Sequence, residues 1–202
     1  MISTIFFDIG NVLVGFDHNR IWQRLADFSP YSPQEIQQLI QKTRLMPLHE
    51  TGKLSPQQLF HAFQQHVQLD AALSYQRFSL LWADIFWENP PMIELAEQLR
   101  ARYTLGLLSN TGEIHWNWLV SRFAIFRRID LRILSFQVGC MKPDPQIFHE
   151  AIRQAHVQPE QCAYLDDIPT YIEASRKIGM HGIHVQSPEQ VREECRALRI
   201  AL

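Results

Sequence analysis

From Ile2 to Phe7 the chain runs Ile-Ser-Thr-Ile-Phe-Phe, which alternates too little for a one-sided sheet and suits a strand buried on both faces. This run delivers one carboxylate, Asp8, to its end and then breaks into Gly10 and Asn11. After Val14 the period changes. Ile21-Trp22-Leu25-Ala26, Ile36-Leu39-Ile40, Leu59-Phe60-Phe63 and Phe78-Leu81-Trp82-Ile85 follow the spacing of amphipathic helices. Ser32-Pro33 and Ser55-Pro56 each place Pro at a first helical position behind a Ser cap. Gly52 and the region of Pro30 mark connections, and Asn89-Pro90-Pro91 ends what reads as a four-helix unit.

Beyond Pro91 strand and helix patterns alternate, as in a parallel sheet. A helix over 91–101 leads to a strand over 103–108. A Trp-rich helix, a strand near 131–136, a helix over 144–155 and a strand over 162–165 follow. A helix to about Gly179, a strand over 182–185 and a helix from Pro188 complete the pattern. The expectation is an α/β core made of residues 1–14 and 90–202, with a four-helix insert over 15–89. An insert after the first strand would lie over the carboxyl edge of the sheet, where a lid belongs.

Composition changes this picture little. Apolar residues make up 46% and charged residues 20%, with a net charge of −2, as in ordinary soluble globular proteins. Such a balance offers no bulk attraction to nucleic acid or an anionic membrane. Cys140, Cys162 and Cys195 form no CxxC pair, so neither a disulfide framework nor structural zinc is expected. With no basic leader ahead of the first apolar run and no stretch of transmembrane length, a cytoplasmic protein is expected. Nothing in the pattern sets an oligomeric state.

Four strand ends carry polar groups: Asp8, Ser109 with Asn110, Lys142 just past a third strand, and Asp166-Asp167. In a parallel sheet these converge on one edge. Singly, each is also what turns, caps and helix lead-ins use. Adjacent carboxylates such as Asp166 and Asp167, however, repel unless a cation or donor sits beside them. Together the groups suit phosphoryl transfer. Asp8 can attack phosphorus as a carboxylate nucleophile. A hard dication held by Asp8 and the acidic pair would neutralise the phosphate. Ser109 can donate to a phosphate oxygen, and Lys142 can balance the charge.

Phe7-Asp8-Ile9-Gly10-Asn11-Val12-Leu13, Leu108-Ser109-Asn110-Thr111, Lys142-Pro143-Asp144-Pro145 and Leu165-Asp166-Asp167 resemble the four motifs of the haloacid dehalogenase-like hydrolase superfamily. The resemblance spans nearly the whole chain, and the inserted helices look like that superfamily's first-type cap. It implies a Rossmann-like parallel sheet core. The nearest flavour is the branch with bacterial alpha-glucose-1-phosphate phosphatase and the N-terminal phosphatase domain of soluble epoxide hydrolase. Carried over by position, the resemblance implies Asp8 as nucleophile and Mg²⁺ ligand, with the Gly10 carbonyl as a second ligand. It implies Asp167 as a metal ligand supported by Asp166, and Ser109, Asn110 and Lys142 at the phosphate. His115 would face the substrate, a small phosphorylated metabolite such as a sugar phosphate, even an anomeric one.

Two positions depart from the family pattern. Most phosphatases of the superfamily carry a second Asp, a general acid and base, where this chain has Gly10. The branch usually places an Asn where this chain has Tyr171. Loss of the acid biases the chain toward leaving groups that are already stable anions, with Asp17 and His18 as the nearest substitutes. Two other readings compete. One is a catalytically weak relative that binds a phosphorylated ligand or a protein partner. The other is a 2-haloacid dehalogenase, which bare carboxylates at 166 and 167 would oppose.

Overall fold

The computed structural model describes all residues, 1–202. Five parallel strands form the main sheet in the order β5-β4-β1-β6-β7: β1 (Thr4–Phe7), β4 (Thr104–Ser109), β5 (Leu131–Leu134), β6 (Cys162–Asp166) and β7 (His181–His184). Two three-residue strands, β2 (Val14–Phe16) and β3 (Phe86–Glu88), pair antiparallel in a separate ribbon. Between them lie α1 (Asn19–Ala26), α2 (Pro33–Gln41), α3 (Leu45–Glu50), α4 (Pro56–His66) and α5 (Tyr75–Ala83). The remaining helices are α6 (Pro90–Arg100), α7 (Glu113–Arg122), α8 (Ile125–Arg128), α9 (Ser135–Val138), α10 (Pro145–Ala155), α11 (Pro169–Lys177) and α12 (Pro188–Ala197), with a 3₁₀ turn at Pro159–Gln161.

The unbroken apolar run of β1 has its reason in two cores, one on each face of the sheet. Ile5 and Phe7 join Leu105, Leu107, Ala163 and Leu165 in one. Phe6 joins Leu108, Ile133 and Tyr164 in the other, beneath Ile147 and Phe148 of α10. A third core is internal to the helices between β2 and β3, where Phe63, Phe78 and Trp82 pack with ring centroids 5.1–5.6 Å apart. Ser32 and Ser55 form capping boxes with Glu35 and Gln58, each worth about 1 kcal/mol at a helix start.

The four helices read from periodicity correspond to α1, α2, α4 and α5. The structure adds α3, whose six residues include Pro47 and are too few to display a helical repeat. The two strands of the ribbon are likewise too short to alternate. The expected strand near 131–136 ends at Leu134 and turns directly into α9. Trp116 and Trp118, which cannot share a helix face, divide between the sheet core and the helical core.

Candidate active site

Asp8 follows β1 directly, and its N–H donates to the Leu165 carbonyl at 2.9 Å. The sheet hydrogen bonding therefore fixes its backbone beside the end of β6. Three residues on, Asn11 takes a left-handed backbone (φ 54°), a conformation Asn tolerates better than most residues. The turn it makes lets its side chain donate to Asp167 Oδ2 at 3.0 Å.

At the centre is the Lys142 ammonium, 3% exposed. It lies 2.6 Å from Asp166 Oδ2, 2.9 Å from Asp8 Oδ1 and 2.8 Å from the Tyr164 hydroxyl. The Tyr164 hydroxyl in turn donates to Asp166 Oδ2. The other Asp166 oxygen accepts the Ile168 N–H at 2.7 Å, so this fully buried carboxyl is completely engaged by protein. Asp8 differs. The ammonium is an ion-pair neighbour without hydrogen-bond alignment, which leaves Oδ1 buried with no donor aimed at it. Burial alone would lower the Lys142 pKa, but Asp8 and Asp166 more than offset it and the net shift is upward. For Asp166, burial and the charge of Asp8 raise the pKa against the opposing pull of Lys142.

Tyr164 and Tyr171 wall the ammonium, their ring centroids 5.5 and 4.9 Å from Nζ. The departure at Tyr171 thus lands on Lys142, where a ring face attracts the cation. The Tyr171 hydroxyl also accepts from Asn110 at 3.3 Å. Asn110 clamps the Lys142 backbone from both sides, accepting its N–H at 2.8 Å and donating to its carbonyl at 3.0 Å. The amide expected at the phosphate is therefore spent on holding Lys142. Ser109 ends β4 buried, and the next residue but one, Thr111, exchanges hydrogen bonds with the Ser135 hydroxyl.

Ser109, Asn110, Thr111 and Gly10 form one side of a cavity of about 80 Å³, faced by Phe16, His18, Glu50, Phe86 and His115. His115 does reach this cavity, but its Nε2 meets the Trp82 carbonyl at 3.2 Å. Burial, then the neighbouring His18, lower its pKa to about 3, so its ring is neutral. Asp17 accepts the Asn19 N–H at 2.9 Å, as a residue opening a helix does. The His18 ring lies tilted against Phe16, centroids 4.7 Å apart, in the cavity lining; its surface stays open, yet the surrounding protein lowers its pKa. A larger cavity, about 830 Å³, lies at the opposite edge of the sheet around Ser3, Arg102, Thr104 and Arg199. Asp8, Asp166 and Asp167 are not among its lining residues.

One ligand atom from each of Asp8, Asp166 and Asp167 falls within 4.8 Å of the others. Three carboxylates around one ammonium leave excess negative charge, and hard oxygen donors suit Mg²⁺. The cluster of Asp8, Asp166 and Asp167 oxygens fits such an ion. Three groups that the sequence reading missed complete the site: Tyr164, Asn11 and Glu50. The period of two along β6 carried a signal for Tyr164, because it puts residues 164 and 166 on one face.

The profile of the haloacid dehalogenase-like hydrolase family matches residues 2–179. D-ribitol-5-phosphate phosphatase of Bacteroides thetaiotaomicron is 26% identical over 203 residues, covering 96% of this chain and 97% of that protein. A HAD family enzyme of the same organism, in complex with magnesium and inorganic phosphate, superposes with a TM-score of 0.81 at 21% identity, covering 92% of this chain and 95% of that one. A HAD-like family hydrolase from Porphyromonas gingivalis superposes with a TM-score of 0.81 at 23% identity, covering 98% of both chains.

Proposed function

This chain belongs to the haloacid dehalogenase-like hydrolase family, and we propose that it is a Mg²⁺-dependent phosphatase of small phosphorylated metabolites, with Asp8 as its nucleophile. Sugar and polyol phosphates are the substrate class; the polyol phosphatase from Bacteroides thetaiotaomicron supports that choice. The observation that carries the reading is the buried Lys142 ammonium held between Asp8 and Asp166, with Asp167 beside them at the carboxyl edge of the sheet. In this reading residues 15–89 act as the cap and residues 1–14 with 90–202 as the core.

Asp8 and Asp167 are the residues that would hold Mg²⁺, with the Gly10 carbonyl beside them. When bound, the ion supplies charge neutralisation between phosphate and carboxylate. An Asp8 oxygen attacks phosphorus, the bond to the leaving oxygen breaks, and the phosphoryl group rests on Asp8 until water displaces it. The Ser109 hydroxyl donates to a phosphate oxygen. Lys142 offsets the gathered negative charge and is oriented by Asp166, Tyr164 and Asn110. His115 shapes the cavity wall, its one ring contact being spent on Trp82. Dehalogenation would ask Asp8 to attack beside Asp166 and Asp167 with only Lys142 to balance three carboxylates, and the charge count disfavours it.

Phosphate release from a panel of sugar and polyol phosphates, with Mg²⁺ and with chelator, tests the proposal. Release that needs Mg²⁺ and falls to background in Asp8→Asn is expected. Binding of phosphate esters without turnover would instead make the chain a phospholigand binder.

A further inference from the structure

Glu50 stands at the C-terminal end of α3 and faces the same cavity as Gly10 and Ser109. It engages in no ion pair, and burial is the sole influence on its carboxyl. Its position is set by two close approaches between the α3 segment and the sheet half of the molecule. The His49 ring lies so near Gly112 that a Cβ there would come within 2.4 Å of Nε2. Gly52, at φ +69°, comes so near α9 that a Cβ would meet the Phe136 carbonyl oxygen at 2.2 Å. Glu50 is therefore delivered by a docked element to the same cavity that Gly10 lines, where the family's usual acid is absent.

We propose that Glu50 is the proton donor and acceptor of the reaction, in place of the acid absent at position 10. This rests on the phosphatase reading above. As Asp8 attacks phosphorus and the bond to the leaving oxygen breaks, the Glu50 carboxyl passes its proton to that oxygen and an alcohol departs. The Glu50 carboxylate then takes a proton from the water that attacks the phosphorylated Asp8. Inorganic phosphate leaves, the Asp8 carboxylate is restored, and Glu50 is protonated again.

The surroundings suit that part. Burial pushes the Glu50 carboxyl up to about 7, where acid and base forms coexist at neutral pH, as efficient proton transfer requires. The titratable groups around it are His18 on the linker and His115 on α7, which line the same cavity, and His49 beside it on its own helix. Burial lowers the pKa of His49 and His115, and the protein around the exposed His18 lowers its pKa as well, so none supplies a cation that would hold Glu50 ionised at neutral pH.

The test compares alkyl phosphates with p-nitrophenyl phosphate, whose leaving anion needs no proton, in wild type, Glu50→Gln and Asp8→Asn. Glu50→Gln is expected to lose roughly 10²- to 10⁴-fold in kcat on alkyl phosphates, and with the aryl ester to keep the rapid burst of nitrophenolate that accompanies phosphorylation of Asp8 while its steady-state turnover slows. Wild-type kcat on alkyl phosphates should fall as pH rises through about 7, and this limb should be missing with the aryl ester. Loss of the nitrophenolate burst together with alkyl turnover, a raised KM with unchanged kcat, or unchanged activity would overturn the assignment while leaving the phosphatase reading intact. If Glu50→Gln does not fold, the wild-type profile decides, and absence of that limb overturns the assignment. Turnover that survives in Asp8→Asn overturns Asp8 as the nucleophile, and the role of Glu50 with it.

Discussion

The Phe16 ring occupies the space where a side chain at position 10 would begin, since a Cβ on Gly10 would lie 2.6 Å from Phe16 Cε1. Restoring the family's acid at that point is therefore a steric problem as well as a chemical one. Gly10→Asp should cost about 1–3 kcal/mol by overpacking and gain little on alkyl phosphates. Adding Phe16→Ala should return activity that the single variant lacks. Urea melts and kcat for the two variants check both statements. Lys142 poses the opposite case. Lys142→Met leaves Asp166 and Asp8 buried without their cation and should cost about 3–5 kcal/mol together with turnover. A loss of activity with stability unchanged would contradict the ion-pair description. The carboxylates, the lysine and the serine were legible in the sequence because strand ends announce themselves through breaks in an apolar run. Tyr164, Asn11 and Glu50 were not. Tyr164 reads as one more apolar strand residue, Asn11 acts through a left-handed turn, and Glu50 depends on how a short helix docks.

At the scale of elements, α7 joins two cores, with Trp116 on the sheet side and Ile114 and Trp118 on the helical side. Between them His115 is buried neutral, hydrogen-bonded to the carbonyl of Trp82 on α5 and stacked on the Trp82 ring at 5.9 Å. Its folded pKa of about 3 lies below the ordinary 6.5, so the unfolded chain binds a proton that the folded chain refuses. Stability from this group is whole above about 6.5 and drains as pH falls toward 3. His115→Gln should flatten the loss of Tm over that window, and an unchanged slope would refute it. Glu50 works in the other direction. Its carboxyl rises from an ordinary 4.5 to about 7, so the folded state is favoured below 4.5 and loses that advantage as pH rises to 7. Glu50→Gln should therefore gain Tm over wild type at pH 8 relative to pH 4. The parallel strands and long helices were readable from their periods; α3 and the β2–β3 ribbon carry too few residues to show one.

For the molecule as a whole, the sheet gathers residues from positions 8, 109, 142 and 166 onto one edge, and the helices between β2 and β3 pack their own core above it. A cavity of about 80 Å³ has room for only a few waters, less than a sugar phosphate needs. The close approaches of His49 to Gly112 and of Gly52 to Phe136 hold the helical half against the sheet half beside this cavity. No helix is long and apolar enough to cross a membrane, in keeping with the hydropathy of the chain. The alternating α/β sheet beyond Pro91 and the run of helices ahead of it were visible in the changes of period along the chain. The docking between them was not, because it rests on close approaches at glycines rather than on any repeat.

The central claim is that Asp8 carries the phosphoryl group, and rapid acid quench during turnover of an active sugar or polyol phosphate reads it most directly. Mass analysis of the proteolysed protein should find one phosphoryl group on the peptide containing Asp8, present only with Mg²⁺ and absent from Asp8→Asn. Full turnover with no label on that peptide, or label that persists in Asp8→Asn, would contradict the account.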